Sequence, residues 1–97
     1  MKQKMTAIVI NEKDNVATAL EDLHEGREIR VIVCGKDECV RLLTDIPSGH
    51  KFALFEIEQG SNVIKYGEPI GHSTVHIKRG QHVHTHNVTS PKNRSAR

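Results

Sequence analysis

Four glycines set the frame of this chain. Each sits fourth in a seven-residue pattern: LHEGREI (23–29), IPSGHKF (46–52), IEQGSNV (57–63) and IKRGQHV (77–83). An aliphatic residue is followed by two polar or proline positions, glycine, two more positions and an apolar residue. Glycine reaches positive φ without the strain a β-branched side chain would suffer there. The first aliphatic residue therefore anchors the end of one segment in a core. The chain then turns in a tight, 3₁₀-like bend, and the last apolar residue begins the next strand. The copies start 23, 11 and 20 residues apart, too uneven for a solenoid. Four such reversals within 61 residues predict a compact, folded-over all-β domain.

The segments between the hinges read as short strands. Runs at 6–10 (TAIVI), 16–20 (VATAL), 28–33 (EIRVIV), 40–43, 52–57, 62–65, 69–77 and 82–88 are apolar or alternating. All are too short for an ordinary helix. NEKDN (11–15), CGKDE (34–38) and PSG (47–49) carry turn chemistry. Leu20 and Leu23, at helical spacing and followed by Gly26, allow one helical turn within residues 18–25. Ninety-seven residues make one domain, with residues 1–88 as its body and 89–97 as a basic, disordered tail. With 36% hydrophobic residues, and Tyr66, Phe52 and Phe55 as the only aromatics, the core must be aliphatic. A core that small invites self-association, and unpaired edge strands make a homo-oligomer one expectation.

Charge narrows the partners. Three of the 14 Lys and Arg residues lie in the tail TSPKNRSAR, which leaves 11 against 12 acidic residues in the body. A near-neutral body without an aromatic platform is a poor nucleic-acid binder. No stretch approaches the ~18 apolar residues of a membrane span. MKQKMTAIVI lacks the apolar run and small-residue cleavage site of a secretory leader. The expectation is a cytoplasmic protein with Cys34 and Cys39 as free thiols.

Three motifs carry candidate chemistry. HVHTHN (82–87), read as a strand, puts His82, His84 and His86 on one face, with Val83, Thr85 and Asn87 on the other. Alternate strand residues are ~7 Å apart, so two imidazoles can converge on one ion. A third needs a bend or another element, with His50, His72, His76 or a second chain's carboxylates as further ligands. A solvated or interfacial strand is the other reading of the same residues. In GHK (49–51), His50 and Lys51 open an apolar strand, where a carboxylate could bind or one of the pair could serve as a base. YGEPIG (66–71) places Glu68 beside Tyr66 in a turn leading into a strand.

Taken in order and spacing, DNVATAL (14–20), GHKFAL (49–54), IEQGSNVIKYGEPIG (57–71) and IKRGQHVHTHN (77–87) resemble the N-terminal domain of the altronate dehydratase family. Related versions occur in galactarate dehydratase and as the small subunit of sulfolactate sulfo-lyase. The resemblance implies a SAF-type β-clip fold with short helical turns, over roughly residues 7–88. It further implies loss of water from a sugar acid such as altronate, giving a 2-keto-3-deoxy acid. A divalent metal, iron or manganese, would be the cofactor, and a large catalytic subunit the partner. On that reading this polypeptide alone is inactive. His50 and Lys51 are the catalytic candidates facing the substrate or the subunit junction. Tyr66, Glu68 and Asn87 are candidates for substrate contact, and His82, His84 and His86 for metal. The alternatives are a stand-alone carbohydrate- or metal-binding module without catalysis, and a metal storage or delivery protein.

Overall fold

The computed structural model describes residues 5–33 and 35–90. Strands β1 (Ala7–Ile8), β2 (Val16–Ala19), β5 (Lys51–Ala53) and β8 (His82–Val83) form one sheet in the order β1-β2-β5-β8. β3 (Glu28–Val33) and β4 (Lys36–Arg41) form a hairpin, and β6 (Asn62–Lys65), β7 (Glu68–Ser73) and β9 (Val88–Thr89) form a third sheet. Every pairing is antiparallel. The chain has the all-β architecture expected from its sequence.

The four glycine hinges share one backbone course. Each begins with a two-residue bend, continues through one bridging aliphatic residue and closes in a turn whose glycine lies at φ 85 to 88°. The hinges pair two by two. Leu23 and Ile46 exchange both backbone hydrogen bonds, as do Ile57 and Ile77, all at 2.8–2.9 Å. The glycine N–H groups reach across each pair: Gly26 donates to Leu42 O, Gly49 to Ala19 O, Gly60 to Ser73 O and Gly80 to Ala53 O. The residue before each bridging aliphatic also acts across the pair. Asp45 Oδ1 accepts from the Glu25 N–H and Asp22 Oδ1 from the Ser48 N–H. In the second pair Glu56 and His76 occupy these places and meet each other at 3.3 Å. The result is two similar halves, each knotted by one hinge pair.

Each half owns a core. Leu23 and Ile46 belong to a cluster with Ile29, Val31, Val40, Leu42, Phe52 and Leu54, whereas Ile57 and Ile77 pack with Val16, Ala53, Val63 and Val83. The β2–β5 ladder separates them. Its register pairs Ala17 with Phe52 on the first core's face and Val16 with Ala53 on the second's, the period-2 alternation of a strand buried on both sides.

Several expected boundaries shift for one reason. Strands at 52–57 and 69–77 stop at Ala53 and Ser73, because the two-residue bend precedes the bridging aliphatic instead of following it. The turn expected over 34–38 is tighter. β4 already begins at Lys36, after Gly35 at φ 77°. The helical turn expected within residues 18–25 is corrected to strand and bend. Leu23 is buried in the bridge while Leu20 is half exposed, so the two leucines do not share a face. No helix occurs among the described residues. Thr89 pairs with His72 in β9, so the sheet runs one residue past the expected body, and residues 91–97 of the tail lie outside the described residues, as does Cys34. Cys39 is exposed and unbridged.

Gly80 is tied more tightly than its counterparts. A Cβ there would lie 2.0 Å from the Arg41 carbonyl oxygen, while at Gly26, Gly49 and Gly60 it would meet nothing within 4 Å. Gly60→Ala should cost only left-handed strain, about 1–2 kcal/mol, or roughly 4–16 °C in Tm for a domain of this size. Gly80→Ala must also push two backbone segments apart and should lose at least twice as much. Equal Tm losses for the two variants in thermal unfolding would refute the close approach.

Candidate functional site

The β5–β8 ladder assembles the site. Lys51 pairs with Val83 and Phe52 with His82. Continued by one step, this register sets His50 opposite His84, on the face that carries Phe52 and His82. The rings bear this out: His50 stacks on His84 at 3.9 Å between centroids and on His82 at 5.0 Å. His50 Nδ1 and His82 Nε2 are 2.8 Å apart, a distance at which one nitrogen carries the shared hydrogen. The Gly49 hinge aims His50, whose N–H donates to Pro47 O and whose carbonyl accepts from Ala19. The His82 N–H in turn donates to Thr44 Oγ1 at 3.3 Å.

The expected single strand over 82–88 is broken. Residues 84–87 form a bend and turn between β8 and β9, so the three alternate histidines do not line one straight face. Asn87 makes the break. Its Oδ1 accepts from the His84 N–H and its Nδ2 donates to His82 O, both at 2.9 Å, and its own N–H donates to His84 O. The side chain is buried with both ends of its amide engaged, which places Asn87 as a positioning residue behind the imidazoles. Nothing in sequence spacing signals this, although asparagine is a frequent turn residue whose side chain bonds nearby backbone groups.

The turn brings His50, His82 and His84 together, with one ligand nitrogen from each lying within 4.8 Å of the others. His86 is exposed and outside that group, its ring tilted against His82 at 5.1 Å. His72 lies in β7 and His76 pairs with Glu56, so neither joins. Three imidazoles without a carboxylate form a donor set suited to a borderline divalent ion such as iron(II), copper(II) or zinc(II).

Lys51 takes the opposite face of β5. It lines a cleft of about 250 Å³ with Ile70, Val83, His84, Thr85, Val88 and Ser90. Burial lowers its pKa, and the charge of Lys65 lowers it further, with Tyr66 opposing. Among the described residues no carboxylate pairs with it. Tyr66 holds φ 59° in the two-residue β6–β7 turn, where glycine or asparagine is the usual occupant, and Lys65 Nζ lies 4.1 Å over its ring. Glu68 is exposed at the start of β7, opposite Lys65. Tyr66 thus borders the Lys51 end of the site, while Glu68 stands on the adjoining hairpin.

Residues 5–91 match the family model of the altronate/galactarate dehydratase SAF domain. The chain belongs to this family. It is 51% identical over 84 residues to altronate dehydratase of Escherichia coli strain K12, covering 87% of this chain and 16% of that protein. Altronate dehydratase of Bacillus subtilis strain 168 is 38% identical over 81 residues, again 16% of its length. The (2R)-sulfolactate sulfo-lyase subunit alpha of Chromohalobacter salexigens is 30% identical over 88 residues, which is 87% of this chain and 94% of the relative. The SAF chain therefore spans about a sixth of the dehydratases it matches and almost the whole of the sulfo-lyase subunit.

Two predictions follow from the histidine face. Asn87→Ala removes the donor to His82 O and the acceptor of the His84 N–H, so stability should fall by about 2–3 kcal/mol; an unchanged denaturation midpoint would disprove the positioning role. His82 is lowered from 6.5 to about 4, by burial first and then by His86, His50, His84 and Lys51. Between those two values the unfolded chain binds the extra proton, so stability falls as pH drops from about 6.5 to about 4. Allowing for partial exposure, the loss is on the order of 1–2 kcal/mol. Urea denaturation of chelator-treated protein at pH 7.5 and 4.5 should show it, and His82→Gln should reduce it.

Proposed function

We propose that this SAF domain forms part of a sugar-acid hydro-lyase of the altronate dehydratase type, completing an active site with a large catalytic body. The reaction removes water from an aldonic acid to give a 2-keto-3-deoxy acid. The observation that carries the reading is Lys51: a half-buried ammonium, repelled by Lys65 and without a carboxylate partner among the described residues, on a cleft that adjoins three converging imidazoles. A cation so placed gains most from an anionic ligand that enters with it. The carboxylate of a sugar acid is such a ligand, and Ile70, Val83 and Val88 offer an apolar wall for its carbon chain.

The size of the cleft supports a divided site. About 250 Å³ falls short of the roughly 300–1,000 Å³ of complete small-molecule pockets, so a second surface closing over it is required to exclude water. That dehydratases carry this domain as a sixth of their length, and a sulfo-lyase as a subunit named alpha, supports a large partner body. Removing a proton α to a carboxylate needs a base, and the charge that develops on the carboxylate oxygens needs cationic neighbours. Lys51 supplies such a neighbour from this chain. A divalent ion, iron or manganese, would add Lewis-acid stabilisation of that charge. The greater identity to altronate dehydratase than to galactarate dehydratase (32% over 87 residues) favours altronate as substrate.

The test is reconstitution. The chain combined with a dehydratase large body should form a complex that converts altronate to keto acid, while neither part alone does so. Lys51→Met should leave the complex intact and raise KM for the sugar acid by about tenfold or more, the worth of one charge-assisted hydrogen bond. Turnover by the isolated chain, or tight sugar-acid binding with no affinity for a large body, would replace the lyase reading with that of a stand-alone module.

A further inference from the structure

The expected metal trio was His82, His84 and His86; the geometry points to another. We infer that this chain by itself binds one divalent transition-metal ion through His50, His82 and His84, with His86 left outside. Its use in catalysis rests on the lyase reading, but its occupancy does not.

The argument begins with distances. Two nitrogens bound to one ion at about 2.0–2.1 Å stand roughly 3 Å apart when cis and a little more in a tetrahedron. His50 Nδ1 and His82 Nε2 already stand 2.8 Å apart. The third ring offers a nitrogen within 4.8 Å of both, and ligation would turn that side chain inward. Two neutral imidazoles in this contact share one hydrogen. Ligation moves it to the distal nitrogen of the same ring, so neutral rings bind the ion without net proton release.

The scaffold is the second part. His50 and His82 sit on paired strands, and His84 is fixed by the Asn87 amide, so all three backbones are held before any ion arrives. Such pre-organisation favours a three-nitrogen site. Three protein ligands also leave coordination positions open, as in catalytic rather than closed structural sites. His86 sets its ring against His82 from an exposed turn position, outside the converging group.

The experiment uses the whole 97-residue chain without a partner, stripped with chelator and titrated with Co(II) as spectroscopic probe and with Mn(II) and anaerobic Fe(II). One Co(II) per chain is expected, with ligand-field bands of nitrogen coordination. In the Co(II)-loaded wild type, paramagnetically shifted imidazole N–H resonances should assign to His50, His82 and His84. His50→Gln, His82→Gln and His84→Gln should each weaken binding by 100-fold or more, and His86→Gln by less than threefold. Should a Gln variant misfold, the wild-type resonances decide alone. No saturable binding, shifted resonances from His86 in place of His50, or equal losses at His86 and His84 would overturn the assignment. A chain that binds metal but joins no large body sinks the lyase reading alone. An active complex in which the free chain binds no metal sinks only this one.

Discussion

The structure depends on backbone groups that satisfy each other across paired glycine hinges. A chain that reverses direction four times exposes peptide N–H and C=O groups at every turn, and burying them unpaired would cost more than the small aliphatic core returns. Here the hinges cancel one another's deficits. Each glycine N–H donates to the carbonyl that precedes its partner's bend, and the residue after each glycine accepts from the N–H of that same position. The bridging aliphatics then sink beneath the exchange into separate cores. No side-chain polar atom buried among the described residues lacks a partner. Two halves built on one plan share the β2–β5 ladder, which is why Phe52 and Ala53, adjacent in sequence, serve different cores.

The histidine site is a by-product of this arrangement. The second and fourth hinges deliver β5 and β8 side by side, because Gly80 donates to Ala53 and Gly49 to Ala19. His50 follows the glycine of one hinge and His82 lies two residues beyond the glycine of the other. The close approach of Gly80 to Arg41 seats the fourth hinge against the first half of the molecule. The imidazoles are thus held by the same hydrogen bonds that hold the fold, with little freedom to drift apart.

Much of this was legible in the residues. Positive φ at Gly26, Gly49, Gly60 and Gly80 follows from the hinge pattern, and the alternation of Ile29, Val31 and Val33 gave β3 its buried face. Hinge partnership was not legible, because the partners are separated by 20 residues or more and their contacts are between backbone groups that every residue possesses. The course of HVHTHN is hidden from the sequence for a related reason. Alternating His, Val and Thr reads as a strand, and local pattern carries no sign that the Asn87 side chain will fold back onto residues 82 and 84 and end it. That one amide converts a row of imidazoles into a cluster and exchanges His86 for His50 among the converging nitrogens.

The two faces of β5 then carry opposite electrostatic demands. On one, three imidazoles bring ligand nitrogens within 4.8 Å of one another and suit a cation. On the other, Lys51 is a partly desolvated cation with no carboxylate partner among the described residues, and it calls for an anion. Lys51 weakens the hold on a divalent ion at the neighbouring face, and a bound carboxylate would offset that repulsion. If the chain serves the proposed lyase, a hydroxy acid with an anionic oxygen for each face would relieve both demands together, and filling one site would then favour filling the other.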